Sequence, residues 1–199
     1  MSKSKSLVYR NIYIYRFIMN VLYGMKYKKR FENIINLIDK EDKNIVELCF
    51  GDIYIAQYAY QNDIMWIGLD INDDFIANAK EQGFNAINKN ILNEPIPKND
   101  ICIMAGSLYH FIDNIELVLH KMLNSSKKVI ISEPIENLSN NKYIGFFAQM
   151  SANAGNGEEK FRFTGNSFIN LLNKYKDILS FEYEIIKKDR DILVILKCK

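Results

Sequence analysis

The stretch from Asn44 to Asp70 limits the possible folds more than any other part of the chain. It predicts a strand over 44–48, a tight turn at Cys49-Phe50-Gly51, a helix from Asp52 to about Gln61 and a second strand over 65–70. Ligands of open α/β sheets bind beyond the carboxyl ends of strands, where such turns lie. Asp70 follows the turn by about 20 residues, the spacing at which a strand-end carboxylate binds ribose hydroxyls. The stretch therefore predicts a site for a nucleoside.

The residues of the turn argue against a dinucleotide as the ligand of this site. A GxGxxG turn would place glycine at positions that here hold Cys49, Gly51 and Tyr54, and Tyr54 would obstruct close helix–strand packing. Asp52 lies where a pyrophosphate would use the free N–H groups of the helix, and a carboxylate there caps those donors itself and repels phosphate. A nicotinamide oxidoreductase is therefore disfavoured. Three acids instead predict a pocket for a positively charged cofactor without phosphate: Glu47, Asp52 and Asp70.

The order of several short motifs resembles that of the class I methyltransferases, which use S-adenosylmethionine. The motifs are Glu47-Leu-Cys-Phe-Gly51-Asp52, Gly68-Leu-Asp70-Ile71, Asn90-Ile91, the segment 100–111 and the segment 129–134. The resemblance covers the chain from roughly Phe31 to the C-terminus. Cys49 departs from the family pattern by replacing the usual first glycine. Asn90 departs from it too, because the family often has an aspartate there that faces the adenine amino group.

The resemblance implies a three-layer α/β fold. Its Rossmann-like sheet would have seven strands, mostly parallel, with an antiparallel strand in a C-terminal hairpin and an N-terminal helical lid. Apolar runs without alternation at 100–106 and 127–132 predict buried parallel strands, and strands that alternate with helices predict βαβ units. We expect one methyltransferase domain, 1–199, made of a lid (1–40) and a core (44–199) that contains a substrate-facing segment (139–165).

The remaining elements follow from periodicity and from turn residues. Gly83 is the expected stop of one helix, and Pro134 is expected to end regular strand pairing. The predicted helices cover 7–24, 31–40, 73–82, 113–123, 142–150 and 164–175, with a flexible loop at 154–157. The further predicted strands cover 85–88, 179–186 and 192–196, the last two joined by a charged turn.

The resemblance also implies which residues bind the cofactor. Glu47 and the backbone from Cys49 to Gly51 would face the methionyl part, and Asp70 would bind the ribose hydroxyls. Ile71 and Ile91 would enclose the adenine, with Asn90 at its edge, and the backbone from Ala105 to Ser107 would bind the amino end. Two alternatives stay open. Glu47 could be a strand-end carboxylate satisfied by helix N–H groups, and Ile71 and Ile91 could simply pack in the core.

His110 is the candidate catalytic residue. The methyl group of a sulfonium is already activated, so the protein must mainly align the acceptor and exclude water. A hydroxyl acceptor also needs a base, and a histidine near neutral pH suits that role. The alternative role of His110 is to fix loop geometry or to pack on the cofactor. Three further residues are candidates for contacting the substrate: Tyr109, Glu133 and Arg162. The alternative for Glu133 is a loop carboxylate with backbone partners, and the alternative for Arg162 is a surface salt bridge.

The first 30 residues allow two interpretations. Apolar residues spaced by three and four from Leu7 to Gly24 predict an amphipathic helix, and polar residues at 10, 16 and 20 argue against a membrane span or secretory signal. A basic cluster follows at 26–30. It fits a lid helix with a solvated basic edge or an interfacial helix attracted to anionic lipid, and we favour the lid. In the lid, Tyr23, Tyr27 or Arg30 would meet the substrate or the methionyl carboxylate.

Composition narrows the functional class. A net charge of +2 is too small to indicate nucleic acid as a partner. Three dispersed cysteines indicate reduced thiols in a cytoplasmic protein, and with two histidines no metal site is expected. The expected function is methyl transfer from S-adenosylmethionine to a small molecule or a glycan precursor. The alternative is a non-catalytic, protein-binding module with a methyltransferase-like fold.

Overall fold

The strands form a single mixed sheet in the computed structural model, which describes residues 12–24, 26–135 and 161–198. They are β1 (Asn44–Leu48), β2 (Met65–Asp70), β3 (Ala86–Asn88), β4 (Asn99–Ala105), β5 (Ser126–Pro134), β6 (Phe181–Lys188) and β7 (Asp191–Cys198). Their order is β3-β2-β1-β4-β5-β7-β6. The first five run parallel, and β7 is antiparallel to both β5 and β6. The predicted seven-stranded, mostly parallel sheet with an antiparallel hairpin strand is therefore confirmed.

Helices cover both faces of this sheet. They are α1 (Ile12–Leu22), α2 (Tyr27–Ile35), α3 (Tyr54–Gln61), α4 (Asp73–Glu81), α5 (Ile115–Ser125) and α6 (Gly165–Tyr175), with a 3₁₀ helix at Leu108–Asn114. Successive residues of a strand point to opposite faces. Accordingly, Val46 and Leu48 join a buried cluster with α5 and α6, whereas Ile45 joins a second cluster with α1 to α4. These two clusters and the sheet between them form the predicted three layers.

Several local predictions are confirmed closely. β1 and β2 have the predicted bounds. Asn72 caps α4 by accepting a hydrogen bond from the Asp74 N–H, and Gly83 lies beyond its end with a φ of +84°. Thr164 caps α6 through a capping box with Ser167. Each of these signals is local, because a cap or a strand run depends on residues only a few positions apart.

Other boundaries were wrong. The helix predicted over 31–40 is α2, which begins at Tyr27 and ends at Ile35. The segment after it is held in turns by the buried Lys128, whose Nζ donates to the carbonyl of Leu37 and to the carboxylates of Asp39 and Asp42 at 2.7–2.8 Å. The helix predicted from Asp52 begins at Tyr54. The helix predicted from 113 begins at Ile115, after the 3₁₀ helix.

Pro134 is the last residue of β5, and its pair with Asp191 is the last of the β5–β7 ladder, so the predicted end of regular pairing is confirmed. The predicted helix at 7–24 is described from residue 12 onward. The predicted helix at 142–150 and the loop at 154–157 lie outside the described residues, as does most of the segment 139–165.

Buried polar contacts fasten the N-terminal helices to the sheet. The Arg30 side chain lies 3.0 Å from the Asp191 carboxylate and donates to the Ser132 carbonyl at 2.8 Å. The Tyr23 hydroxyl also donates to Asp191, at 3.1 Å, and Arg190 donates to the carbonyl of Leu22. Because β7 runs opposite to β5, its first residue lies at the edge where β5 ends. The contacts therefore hold α1 and α2 over the carboxyl edge of the parallel strands.

The Arg30 contacts lead to a prediction about stability. Arg30→Met leaves the Asp191 carboxylate without its buried cation, so we expect the free energy of unfolding to fall by about 3 kcal/mol. Lys28→Met on the same helix is the matched control, since Lys28 is 68% exposed and lies 4.0 Å from Glu32. We expect that variant to lose less than about 0.5 kcal/mol. Urea unfolding of both variants measures the difference, and equal losses would contradict the anchoring role of Arg30.

Candidate functional site

The turn after β1 has an unusual backbone. Cys49 has a φ of +52° and Gly51 a φ of +58°, both in the left-handed region. L residues adopt this region at a cost of roughly 1–2 kcal/mol, which glycine avoids. The Cys49 N–H donates to the Leu69 carbonyl at 2.7 Å, so the turn is tied to the end of β2. The turn therefore keeps a left-handed bend at position 49 even though a cysteine replaces the usual glycine.

Glu47 lies beneath this turn and is fully buried. Its Oε2 accepts a hydrogen bond from the Trp66 indole N–H at 2.9 Å, and its Oε1 has no hydrogen-bond partner among the described residues. Burial raises the pKa of Glu47 well above its usual range, although the Trp66 hydrogen bond opposes that shift. The helix N–H groups that we considered as alternative partners do not bind it. Glu47 thus retains one unused buried oxygen next to the turn.

Asp52 does not cap α3 in the predicted way. Its carboxylate accepts from only one N–H of that region, that of Ile53, at 2.8 Å. Its main partner is Arg16 of α1, whose Nε and terminal nitrogen donate to it at 2.7–3.1 Å. The expected cluster of three free negative charges is therefore wrong for Asp52, because a guanidinium neutralises it.

Side chains of α1 and α2 cover both glycine turns at this edge. A Cβ atom built on Gly51 would lie 2.8 Å from the Tyr15 hydroxyl. A Cβ built on Gly106, whose φ is +72°, would lie 2.5 Å from the Arg30 guanidinium. Burial raises the Tyr15 pKa to about 12, so this hydroxyl is neutral. The roles of Tyr15 and Arg16 were missed, although the charge of Arg16 within an apolar stripe was the available signal.

Asp70 lies where the sequence predicted it, at the carboxyl end of β2 beside the turn. It is 8% exposed, and its Oδ1 accepts from the Asn72 N–H at 2.8 Å. Ile71 follows it and is 44% exposed, as a residue that faces a ligand should be. The two residues thus share one rim of the candidate site.

The two other residues predicted to contact the adenine differ in their exposure. Asn90 is exposed, and its Oδ1 accepts from the Leu92 N–H at 3.0 Å. Ile91 is 3% exposed and belongs to the cluster beneath α5. The environment of Ile91 thus matches the core-packing alternative.

His110 belongs to a stacked group of three side chains. Its ring lies 3.9 Å from the Tyr109 ring, centroid to centroid, and the Arg162 guanidinium carbon lies 3.8 Å from the Tyr109 centroid. Burial, together with the Arg162 charge, lowers the His110 pKa to about 3. The histidine is therefore neutral at physiological pH, but it is a much weaker base than we expected from its usual pKa.

Glu133 has a structural contact that links β5 to the 3₁₀ helix. It is fully buried, and its two oxygens accept from the N–H groups of Leu108 and Tyr109 at 3.0 and 3.4 Å. Burial raises its pKa to about 8, while the charge of Arg30 opposes that shift. The residue matches its alternative role, a carboxyl group with backbone partners. Ala105, the last residue of β4, and Ser107, which precedes the 3₁₀ helix, are both half-buried.

The two tyrosines suggested for substrate binding are both buried between helices and sheet. Tyr23 lies between Asp191 and Arg190, and the Arg190 guanidinium carbon is 3.8 Å from its ring centroid. Tyr27 is 1% exposed and donates to the Tyr15 hydroxyl at 3.4 Å. Tyr27 therefore reaches the site only through Tyr15. Within the described ranges, no group of three or more His, Cys, Asp or Glu residues could hold a metal ion.

Comparison with known proteins finds similarity in structure alone. No protein-family model and no curated protein matches the chain. A putative S-adenosyl-L-methionine-dependent methyltransferase from Methanococcus maripaludis matches with a TM-score of 0.68 and 19% identity, over 100% of this chain and 97% of that one. Magnesium protoporphyrin IX methyltransferase from Synechocystis, solved with bound SAH, matches with a TM-score of 0.67 and 11% identity, over 96% and 93%.

A larger enzyme matches over part of its length. Mitomycin 7-O-methyltransferase has a TM-score of 0.62 and 11% identity over 97% of this chain, which spans 60% of that protein's length. At these identities the comparisons define the fold. The chain has the Rossmann-like fold of the class I S-adenosylmethionine-dependent methyltransferases, as its motifs indicated.

The raised pKa of Glu133 predicts a pH dependence of stability. Between the ordinary glutamate value of 4.5 and about 8, the unfolded chain releases this proton while the folded protein keeps it. The free energy of unfolding should therefore fall as pH rises through that range, by at most about 5 kcal/mol, and then level off. Glu133→Gln should remove this part of the fall.

Urea unfolding at intervals of about one pH unit from pH 5 to 9 measures the pH dependence of the free energy of unfolding. Glu184→Gln is the control, since Glu184 is exposed on β6. A Glu133→Gln variant whose stability follows the same pH curve as the unmodified protein would contradict the assignment.

Proposed function

We propose that the protein transfers a methyl group from S-adenosylmethionine to a small molecule or a glycan precursor. The observation that carries the proposal is the left-handed turn at Cys49 and Gly51, tied to the end of β2 beside Asp70, in a sheet with methyltransferase topology. Nucleoside ligands bind at this edge of open α/β sheets. The same proposal places the protein in the cytoplasm, where its dispersed cysteines stay reduced.

The residues at this edge suit a cationic nucleoside. Asp70 would accept hydrogen bonds from the ribose hydroxyls, and Ile71 would cover one adenine face. The Oε1 of Glu47, which has no hydrogen-bond partner among the described residues, would be the acceptor nearest the turn for an ammonium or sulfonium group. S-adenosylmethionine would supply an activated methyl group. The protein would supply orientation and a site without water.

The lid must move for this cofactor to bind. The Tyr15 hydroxyl now occupies the space directly above Gly51, and the Arg16–Asp52 pair holds α1 in place. Arg16 is 30% exposed whereas Asp52 is fully buried, so the pair can open only as α1 lifts and water reaches the carboxylate. We infer that α1 lifts from the turn and then closes over the bound nucleoside, with Tyr15 against it.

The acceptor would bind near the group formed by Tyr109, His110 and Arg162. The aromatic ring and guanidinium suit a flat or anionic molecule. We propose His110 as the base. With its pKa lowered to about 3, it would best serve an acceptor that is itself acidic, such as a phenol, or act after the acceptor displaces Arg162. The name of mitomycin 7-O-methyltransferase supports a small-molecule acceptor.

Cofactor binding provides the main test. Asp70→Asn removes the charge that receives the ribose hydroxyls, so the dissociation constant for S-adenosylmethionine should rise about 10- to 100-fold. Asp63→Asn is the matched control, because Asp63 is exposed and precedes β2 at the opposite edge of the sheet. Isothermal titration calorimetry with S-adenosylmethionine and its demethylated product measures both variants.

The same titration tests the alternative, a non-catalytic module. That alternative is favoured by one observation, the placement of the Tyr15 hydroxyl over the turn. If neither the unmodified protein nor Tyr15→Ala binds either nucleoside while both remain folded, the methyltransferase proposal fails. Mass spectrometry of the purified protein for bound nucleoside is an independent check of the same point.

His110 provides a test of the chemical step. If His110 is the base, His110→Gln should lower kcat about 100-fold and leave cofactor affinity unchanged. His120→Gln is the control, since His120 is exposed on α5. The acceptor is first found by screening metabolites and sugar nucleotides with labelled cofactor. Equal kcat in the two histidine variants would exclude His110 as the base, and labelling of RNA alone would exclude the small-molecule acceptor.

A further inference from the structure

Helix α1 has an apolar outer face as well as a buried inner one. Ile12, Ile18 and Leu22 are buried against the domain. On the outer side Tyr13 is 75% exposed and Phe17 is 64% exposed. These two lie four residues apart, so they are neighbours on one side of the helix. Ile14, 43% exposed, extends the same surface.

The polar groups of α1 do not face outward. Arg16 is paired with the buried Asp52, and the Asn20 side chain donates to the Arg16 carbonyl at 3.0 Å. Among the residues that the structure describes in α1, the outer face formed by Tyr13, Ile14 and Phe17 therefore has no charged side chain. A helix with an ordinary solvent-facing side has charged and polar residues there. An exposed apolar surface on such a helix indicates contact with an apolar environment.

The charge of the chain is strongly divided around this helix. Eight of the 26 basic residues of the chain lie within the first 31 residues, which contain none of the 24 acidic residues. The rest of the chain consequently has six more acidic than basic residues. Lys26, Lys28 and Lys29, directly after α1, are exposed. Such an asymmetry indicates an anionic partner that the modest net charge of the whole chain conceals.

We propose that the outer face of α1 and the three lysines after it dock on an anionic lipid surface. Aromatic and aliphatic side chains enter the boundary between headgroups and acyl chains, while nearby lysines attract acidic headgroups. A second copy of the chain fits less well, since a symmetric contact would bring two basic segments together. No described helix is long and apolar enough to span a bilayer. Because Tyr13 and Phe17 lie along one side of α1, the helix would lie in the plane of the membrane surface.

This inference is independent of methyl transfer. The outer face is distinct from the inner side of α1, where Tyr15 and Arg16 contact the turn. Membrane docking can therefore be measured without cofactor or acceptor, and either proposal can fail while the other holds. If both hold, the lid that covers the proposed cofactor site is also the part that touches the membrane.

Cosedimentation with vesicles tests the proposal. The full chain is mixed with vesicles of phosphatidylcholine alone or of phosphatidylcholine with phosphatidylserine. We expect binding only to the second kind, decreasing with salt because exposed charges are screened. Tyr13→Ser with Phe17→Ser should lower the partition coefficient about tenfold or more, as should Gln at positions 26, 28 and 29. Tyr60→Ser is the control, because Tyr60 is 78% exposed on α3.

Four results would overturn the proposal, given circular dichroism that shows folded variants. The first is no binding of the unmodified protein to anionic vesicles. The second is binding that the Tyr13 and Phe17 changes leave intact. The third is a dimer in sedimentation velocity that those changes abolish, which would assign the face to a second copy. The fourth is preferential binding to single-stranded nucleic acid, which would assign the aromatic rings to base stacking.

Discussion

Two guanidinium–carboxylate pairs determine how the carboxyl edge of the parallel strands is built. Arg16 of α1 binds Asp52 after the turn, and Arg30 of α2 binds Asp191 at the start of β7. Each pair joins an N-terminal helix to the edge where the parallel strands end. Through them, Tyr15 lies over Gly51 and the Arg30 guanidinium lies against Gly106. Access to the edge therefore depends on the position of two helices that do not belong to the sheet.

Burial, more than the number of acidic residues, sets the charge of this edge. It raises the pKa of Glu47 and Glu133, so both tend to keep their protons, and Arg16 neutralises Asp52. Asp70 is then the main carboxylate left to bind a ligand at the rim. A cation that reached Glu47 would favour its ionised form, since an opposite charge lowers a carboxyl pKa. Ligand binding and proton release would thus be coupled.

The fold is maintained while individual side chains differ. The chain shares 11–19% of its residues with structures that match it over nearly their whole length. Cys49 shows how this is possible, because the hydrogen bond from its N–H to Leu69 belongs to the backbone and does not require a particular side chain. The group formed by Tyr109, His110 and Arg162 is different in kind. Arg162 reaches the Tyr109 ring from a distant part of the sequence, and this contact depends on the side chains themselves.

The sequence by itself determined the elements and their order. The strands at 44–48 and 65–70, the Gly83 stop and the C-terminal hairpin all follow from residues a few positions apart, and with them the place of Asp70 at the end of β2. The tertiary structure alone decided the bounds of α2, the neutralisation of Asp52, the low pKa of His110 and the cover provided by Tyr15. Those features join residues 36 positions apart, as in Arg16–Asp52, or 91 apart, as in Leu37–Lys128. Periodicity describes local hydrogen bonding, whereas burial and charge pairing exist only once distant segments meet.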